Sequence, residues 1–297
     1  MKQKFLIILL TISNFTFCSQ FSNNNDEDKN KNQLLGLAAL ALGNTQVTSS
    51  ISFSLNSGTT KNIDCSSSLS NVSGGTITLS DFRLYISDVK LVTSSGISSN
   101  FNLVQDNKWQ SATTALLDFE DKTGNCTNGT TETNTKITGT YTSGNYSGIQ
   151  FTVGVPFSEN HIDNTTAKAP LDVNGMFWSW NGGYKFTKFE FKNNATNSIA
   201  IHIGNSSCTP TGNSPTSCSY PNYSTVTLTG TSGFVPGTNK IAIDVSSLLN
   251  GSDTSSTGLT CMGASNTTSA CKVILNNLGI KETDGTSMGT QSVFSLE

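Results

Sequence analysis

The chain is 297 residues long, with a formal net charge of −3, 12% charged residues and only two histidines. A mildly acidic balance without basic blocks argues against nucleic acid as a partner. The length accommodates one large or two small domains, and once residues 1–46 are set aside the remainder suits a single one.

Lys2 and Lys4 precede an apolar stretch from Phe5 to Ile12. That stretch falls short of the roughly 20 residues needed to cross a bilayer, so residues 1–17 read as an export signal. Cys18, followed by Ser19, stands where a bacterial lipoprotein precursor presents the cysteine that is lipidated after cleavage. Phe17 departs from the small residue usual before it, which keeps ordinary signal cleavage as the alternative. A lipid on Cys18 would anchor the protein to a membrane without spanning it. Residues 18–46 read as a flexible tether, polar at first and then apolar in LLGLAALAL, which is either a short surface helix or a disordered stretch.

From residue 47 onward apolar and polar residues alternate between Gly-, Asn-, Ser- and Thr-rich turns, the pattern of half-buried strands. Ile51, Phe53 and Leu55 share one face. Between Ile77 and Val92 the apolar phase slips near Ser80 and Asp81, which predicts a bulge there. Ile149 to Phe157 alternates without a break, as do Ile199 to Ile203 and Ile241 to Val245. Helix is scarce: Asp244 could cap one turn through Leu249, and Ser269 could cap a helix from Ala270 to Leu278 that ends at Gly279. About ten strands with one or two short helices over residues 47–297 describe an all-β domain, an antiparallel β-sandwich or Greek-key barrel.

Six cysteines remain after Cys18: Cys65, Cys126, Cys208, Cys218, Cys261 and Cys271. An even number in an exported chain predicts disulfides, and six cysteines allow 15 pairings. Cys208 with Cys218 and Cys261 with Cys271 each bracket a short loop, which leaves Cys65 with Cys126 by elimination. A thiolate metal site is the competing reading, but CxxC spacing is lacking.

Enzyme motifs are missing too: there is no supported Ser-His-Asp set, phosphate loop, HExxH or EF-hand pattern. The acidic run Asp118, Glu120 and Asp121 could be imagined as a carboxylate pair for glycoside chemistry, yet turn and edge charges are the better reading. His202 lies between Ile201 and Ile203, so its imidazole faces away from the core. His161 follows the run ending at Phe157, with Asp163 two residues on as a group that could orient its ring. Two imidazoles are too few for zinc, which prefers four ligands, but they can hold copper. Met176, Trp178 and Trp180 would share one strand face, either core-facing or as a soft, oxidisable cluster beside a metal.

The strings DFRLYISDVKLV, WQSATTALLDFEDKTGNC, PFSENHIDNTTAKAPLDVNGMFWSWNGGYKF, IHIGNSSC and CMGASNTTSAC occur in this order. Over residues 48–296 the chain resembles the MbnP family, proteins found beside methanobactin systems and elsewhere with a four-cysteine motif. The resemblance implies a β-rich periplasmic protein that binds one copper ion and is not an enzyme. It also implies a di-haem c-type cytochrome partner of the MbnH type, which oxidises a tryptophan to kynurenine and so alters the copper site. Carried onto this sequence, His161 and His202 become the metal ligands, with Asp163 and Met176 as supporting or additional groups. Trp178 and Trp180 match the WSW motif and Trp109 the WQ motif, so all three are candidates for oxidation. Cys208, Cys218, Cys261 and Cys271 match the four-cysteine motif and take structural roles. With Cys18 lipidated, the expected location is the periplasm or cell surface, at the outer membrane. The alternative is a structural or adhesive surface lipoprotein without metal.

Overall fold

The computed structural model describes residues 45–297, apart from 180, 195, 213, 256–257 and 263–267. The export signal, Cys18, most of the tether and Trp180 therefore lie outside the described residues. The chain first forms β1 (Gln46–Asn56), β2 (Ser68–Val72), β3 (Gly75–Val92), β4 (Ser98–Asn100), β5 (Asn102–Leu103) and β6 (Thr114–Asp118). Next come β7 (Lys136–Thr142), β8 (Tyr146–Val153), α1 (Phe157–Asn160), β9 (Phe177–Ser179), β10 (Gly183–Tyr184), β11 (Thr187–Asn193) and β12 (Ser198–Ile203). The remainder is β13 (Ser206–Thr209), β14 (Ser217–Tyr220), β15 (Ser224–Phe234), β16 (Lys240–Asp244), α2 (Val245–Leu249), β17 (Leu259–Met262), α3 (Ser269–Asn277) and β18 (Phe294–Leu296). No helix among the described residues is long and apolar enough to cross a membrane.

A five-stranded sheet in the order β18-β16-β1-β7-β5 faces a nine-stranded sheet whose main path is β15-β8-β3-β11-β12-β17, with β2, β4 and β6 also paired to β3. Alternate residues from both sheets fill the space between them, as the period-2 pattern requires. Phe151 of β8 meets Phe53 of β1 and Phe294 of β18 edge-on, at 5.9 and 5.4 Å between ring centroids. The all-β sandwich is as expected, although the sheets are mixed, because β1–β16 and β12–β17 run parallel. The expected bulge is present: Glu190 pairs with Asp81 and Phe191 with Leu79, so Ser80 is the extra residue of β3. Asp244 caps α2 by accepting the Ser247 amide at 2.9 Å. For α3 the cap is Thr268 and not Ser269, because it is the Thr268 hydroxyl that accepts the Cys271 amide.

Past the bulge, Phe82 and Leu84 enter the main core while Asp81, Arg83 and Tyr85 turn outward. The outer face is nevertheless enclosed. Tyr85, Leu116, Val155, Leu171, Met176, Tyr184 and Phe186 form a second apolar cluster there. The Tyr85 and Tyr184 hydroxyls donate to the carbonyls of Pro170 and Leu171, which pins the covering segment to the sheet. The long alternation read from Ile149 to Phe157 is therefore broken: β8 ends at Val153, Val155 belongs to the second cluster, and Phe157 opens α1. Gly154 makes the break, with φ at +149° and no room for a Cβ, which would lie 2.5 Å from the Tyr223 ring. Similarly, Met176 ends a turn over Asn174–Met176 and β9 has only three residues, so Met176 and Trp178 do not share one strand.

The acidic run also differs from the sequence reading. Asp118 and Glu120 are buried, while Asp121 closes a turn, accepting the amide and hydroxyl of Thr123. Burial is tolerated because Arg83 lies opposite Asp118 in register and because Glu120 accepts the amides of Lys122 and Thr130. Arg83 in turn forms a two-point bond with Asp81, through Nε at 2.8 Å and through Nη2. Burial, opposed by the Arg83 charge, pushes the Asp118 carboxyl up to about 7.

Two outcomes test this arrangement. Gly154→Ala should cost about 2–3 kcal/mol in urea unfolding, whereas Gly144→Ala, where φ is not positive, should stay within about 0.5 kcal/mol. Because the folded-state pKa of Asp118 is raised, the folded chain holds a proton that the unfolded chain has released between about pH 4 and about pH 7. Stability should thus fall as pH rises through that window, and Asp118→Asn should flatten the fall; parallel pH profiles for the two proteins would disprove it.

Candidate metal centre

On the outer face of the large sheet one register row runs across five strands: Asp118 pairs with Arg83, Arg83 with Lys188, Lys188 with His202, and His202 with Met262. These side chains share a face because the isoleucines and phenylalanines next to them fill the main core. His202 faces away from the core as its spacing predicts, but it is enclosed, at 8% exposure. Its Nε2 lies 2.8 Å from Glu190 Oε1. Glu190 also lies 3.5 Å from the Lys188 ammonium, which donates to buried Asp81 at 2.5 Å. The hydrogen bond from His202, with Lys188 adding to it against burial, holds the Glu190 carboxyl below its ordinary range. A cleft of about 670 Å³ opens along the row, lined by Arg83, Trp109, Asp118, Lys188, Glu190 and His202 among others. Glu120 is absent from that lining, so the two acids that glycoside chemistry would need do not face one cleft.

His161 follows α1, whose last residue, Asn160, is fully buried. The Asn160 amide reaches three partners. Its Nδ2 donates to Asn205 Oδ1 at 2.7 Å and lies 3.3 Å from His161 Nε2, while its Oδ1 accepts the Tyr184 amide at 2.8 Å. Gly183, at φ +69°, leaves the space this side chain occupies, since a Cβ there would lie 2.3 Å from Asn160 Nδ2. The His161 ring packs against Phe157 at 4.7 Å, and its Nε2 lies 3.8 Å from Cys218 Sγ. Asp163 closes the following turn by accepting the amide and hydroxyl of Thr165.

The short run 202–205 links the two histidine neighbourhoods. Trp178 lies 6.4 Å from the His202 ring, centroid to centroid, and a Cβ on Gly204 would meet its indole at 2.9 Å. Directly after Gly204, Asn205 fastens Asn160 beside His161. His161, Trp178 and His202 thus belong to adjoining segments. Met176 does not join them as an accessible donor, being fully buried in the second apolar cluster. Trp109 lies at the cleft, with the Lys108 ammonium 5.1 Å above its ring.

Three disulfides form, Cys65–Cys126, Cys208–Cys218 and Cys261–Cys271. One donor atom each from His161, Cys208 and Cys218 lies within 4.8 Å of the others. The two sulfurs are bonded to each other and so are not thiolates, which leaves imidazole nitrogen as the ligand in the oxidised protein. Glu190 and Asn160 were not singled out by sequence. Glu190 sits in the alternating run KFEFK, but its bond to His202 depends on which strand pairs with it. Asn160 precedes His161 directly, yet nothing local tells that it is the buried member of the pair. Imidazole nitrogen is a ligand suited to first-row transition metals, and a carboxylate behind the ring, as Glu190 is behind His202, is the usual support for it.

A family model described as MbnP matches residues 45–263. Among solved structures, MbnP from Methylosinus trichosporium is similar at a TM-score of 0.72 and 26% identity, covering 85% of this chain and 98% of that one. No curated protein matches the sequence. The match over most of the chain, together with the shared fold, shows that this chain belongs to the MbnP family.

Proposed function

We propose that this protein is exported, binds one copper ion through His161 and His202, and works by binding and not by turnover. The observation that carries the reading is the bond between His202 Nε2 and Glu190. A metal-ligating histidine usually donates its second ring N–H to a carboxylate, which fixes the ring and raises the basicity of the other nitrogen. Here Glu190 takes Nε2, and Nδ1 is the nitrogen we assign to the metal. Asn160 and Asn205 fix the segment carrying His161. When bound, copper would supply a soft, redox-capable centre that two imidazoles satisfy at low coordination number.

Family membership supports a di-haem c-type cytochrome of the MbnH type as partner, with tryptophan converted to kynurenine. Trp178 is the residue we assign to that oxidation, because its indole lies against Gly204 and near the His202 ring. Trp109 is the second candidate. The export signal and Cys18 support a periplasmic or cell-surface lipoprotein, held at the outer membrane by its lipid.

Alanine at either His161 or His202 should abolish stoichiometric copper binding in equilibrium dialysis without changing the circular dichroism spectrum. Glu190→Gln should weaken copper binding by about 10- to 100-fold, the usual effect of losing the carboxylate behind a ligating imidazole. Unchanged affinity in all three variants would leave the structural lipoprotein reading in its place. Coexpression with the native di-haem neighbour should add the mass of kynurenine formation to the peptide carrying Trp178; the same gain on the Trp109 peptide would move the assignment there.

A further inference from the structure

Cys208 and Cys218 face each other directly across the β13–β14 ribbon, immediately beside His161. Cys65, Cys126, Cys261 and Cys271 are all buried within the core, whereas Cys218 is partly exposed. A thiolate attacking from solvent thus reaches the Cys208–Cys218 bond before the other two. Backbone pairing on either side of the disulfide, Ser206 with Tyr220 and Thr209 with Ser217, places the two cysteines opposite each other.

We infer that reduction of Cys208–Cys218 opens a second mode of metal binding, in which two thiolates and His161 take up copper(I). A dithiol reductant attacks Cys218 Sγ, the S–S bond breaks, and a mixed disulfide forms. The reductant's second thiol then displaces Cys218, leaving the reductant as a disulfide and both cysteines as thiols. Two electrons and two protons pass to the protein, and the two protons leave for solvent when the metal binds. First-row metals bind sulfur at about 2.3 Å and imidazole nitrogen at about 2.0 Å, so at angles between tetrahedral and trigonal those donors lie about 3.5–3.7 Å apart. The separation of 3.8 Å between Cys218 Sγ and His161 Nε2 already meets that need. Soft thiolates and a three-member donor set favour copper(I) over zinc, which seeks a fourth ligand. The inference rests on the reading of His161 as a copper ligand, but it does not require His202.

The test uses the whole folded protein, either oxidised or treated anaerobically with dithiothreitol and desalted. Alkylation and peptide mapping of the reduced sample should label Cys208 and Cys218 and leave the other four cysteines of the domain unlabelled. Competition with a chromogenic copper(I) chelator should show copper(I) held at least tenfold more tightly after reduction. His161→Ala, or alkylation of reduced wild-type protein before the metal is added, should remove that gain, and His202→Ala, which abolishes binding to the oxidised form, should still take up copper(I) once reduced. X-ray absorption of the reduced copper(I) form should show sulfur in the coordination shell. Equal affinity in both redox forms, earlier labelling of the buried cysteines, or preference for zinc over copper(I) would overturn the inference. Copper binding to the reduced form alone would remove the two-histidine site and leave this one standing; binding to the oxidised form alone would do the reverse.

Discussion

β3 pairs along its length with β2, β4, β6, β8 and β11, so the phase of its side chains decides which residues of the large sheet lie between the layers and which face outward. A strand without an extra residue could not send Ile77 and Leu79 and then Phe82 and Leu84 to one side, because the period of two admits no change of phase. The bulge at Ser80 supplies that change. Asp81, Arg83 and Tyr85 are thereby presented to the outer face, where the first two build an ion network and the third anchors the covering segment.

That network has a geometric role more than an energetic one. Buried pairs of this kind gain little over apolar packing, yet removal of one partner leaves a charge stranded at a cost of about 3–5 kcal/mol. Asp81 binds both Arg83 and Lys188, Lys188 approaches Glu190, and Glu190 holds His202. Each group is therefore fixed by the next, and the orientation of one imidazole depends on a series of charges reaching back to β3. On the other side of the site the work is done by neutral amides, through Asn160 and Asn205, and by two glycines that leave space, Gly183 for Asn160 and Gly204 for the Trp178 indole.

What the sequence disclosed follows from what alternation can report. It tells which residues share a face, so the Ile51 to Leu55 and Ile199 to Ile203 strands, the Ser80 bulge and the outward turn of His202 were all legible. It does not tell whether a second layer covers the other face. For that reason Asp118 and Glu120 read as turn and edge charges although both are buried, and the choice for Met176 between a core position and a soft cluster beside a metal stayed open until the second apolar cluster decided it. The break at Gly154 was hidden because Val155 and Phe157 continue the apolar rhythm after the strand has ended. Glu190 and Asn160 were invisible for a further reason, since their importance lies in partners brought by strand pairing and chain crossing.

The parallel pairing of β12 with β17 has a kinetic side. The edge beside His202 is completed by a strand that emerges well after it in the chain, and Glu190 owes its setting to β3, made much earlier. The Glu190 bond to His202 closes within the β11–β12 hairpin, but the Asp81 and Met262 ends of that row, and the Cys218 side of His161, draw on segments distant in sequence, and such long-range closures come late and slowly in β domains. The row from β6 to β17 is consequently complete only when strands far apart in the chain have joined, and the β11–β12 hairpin by itself would hold the His202–Glu190 pair without the layers that enclose it.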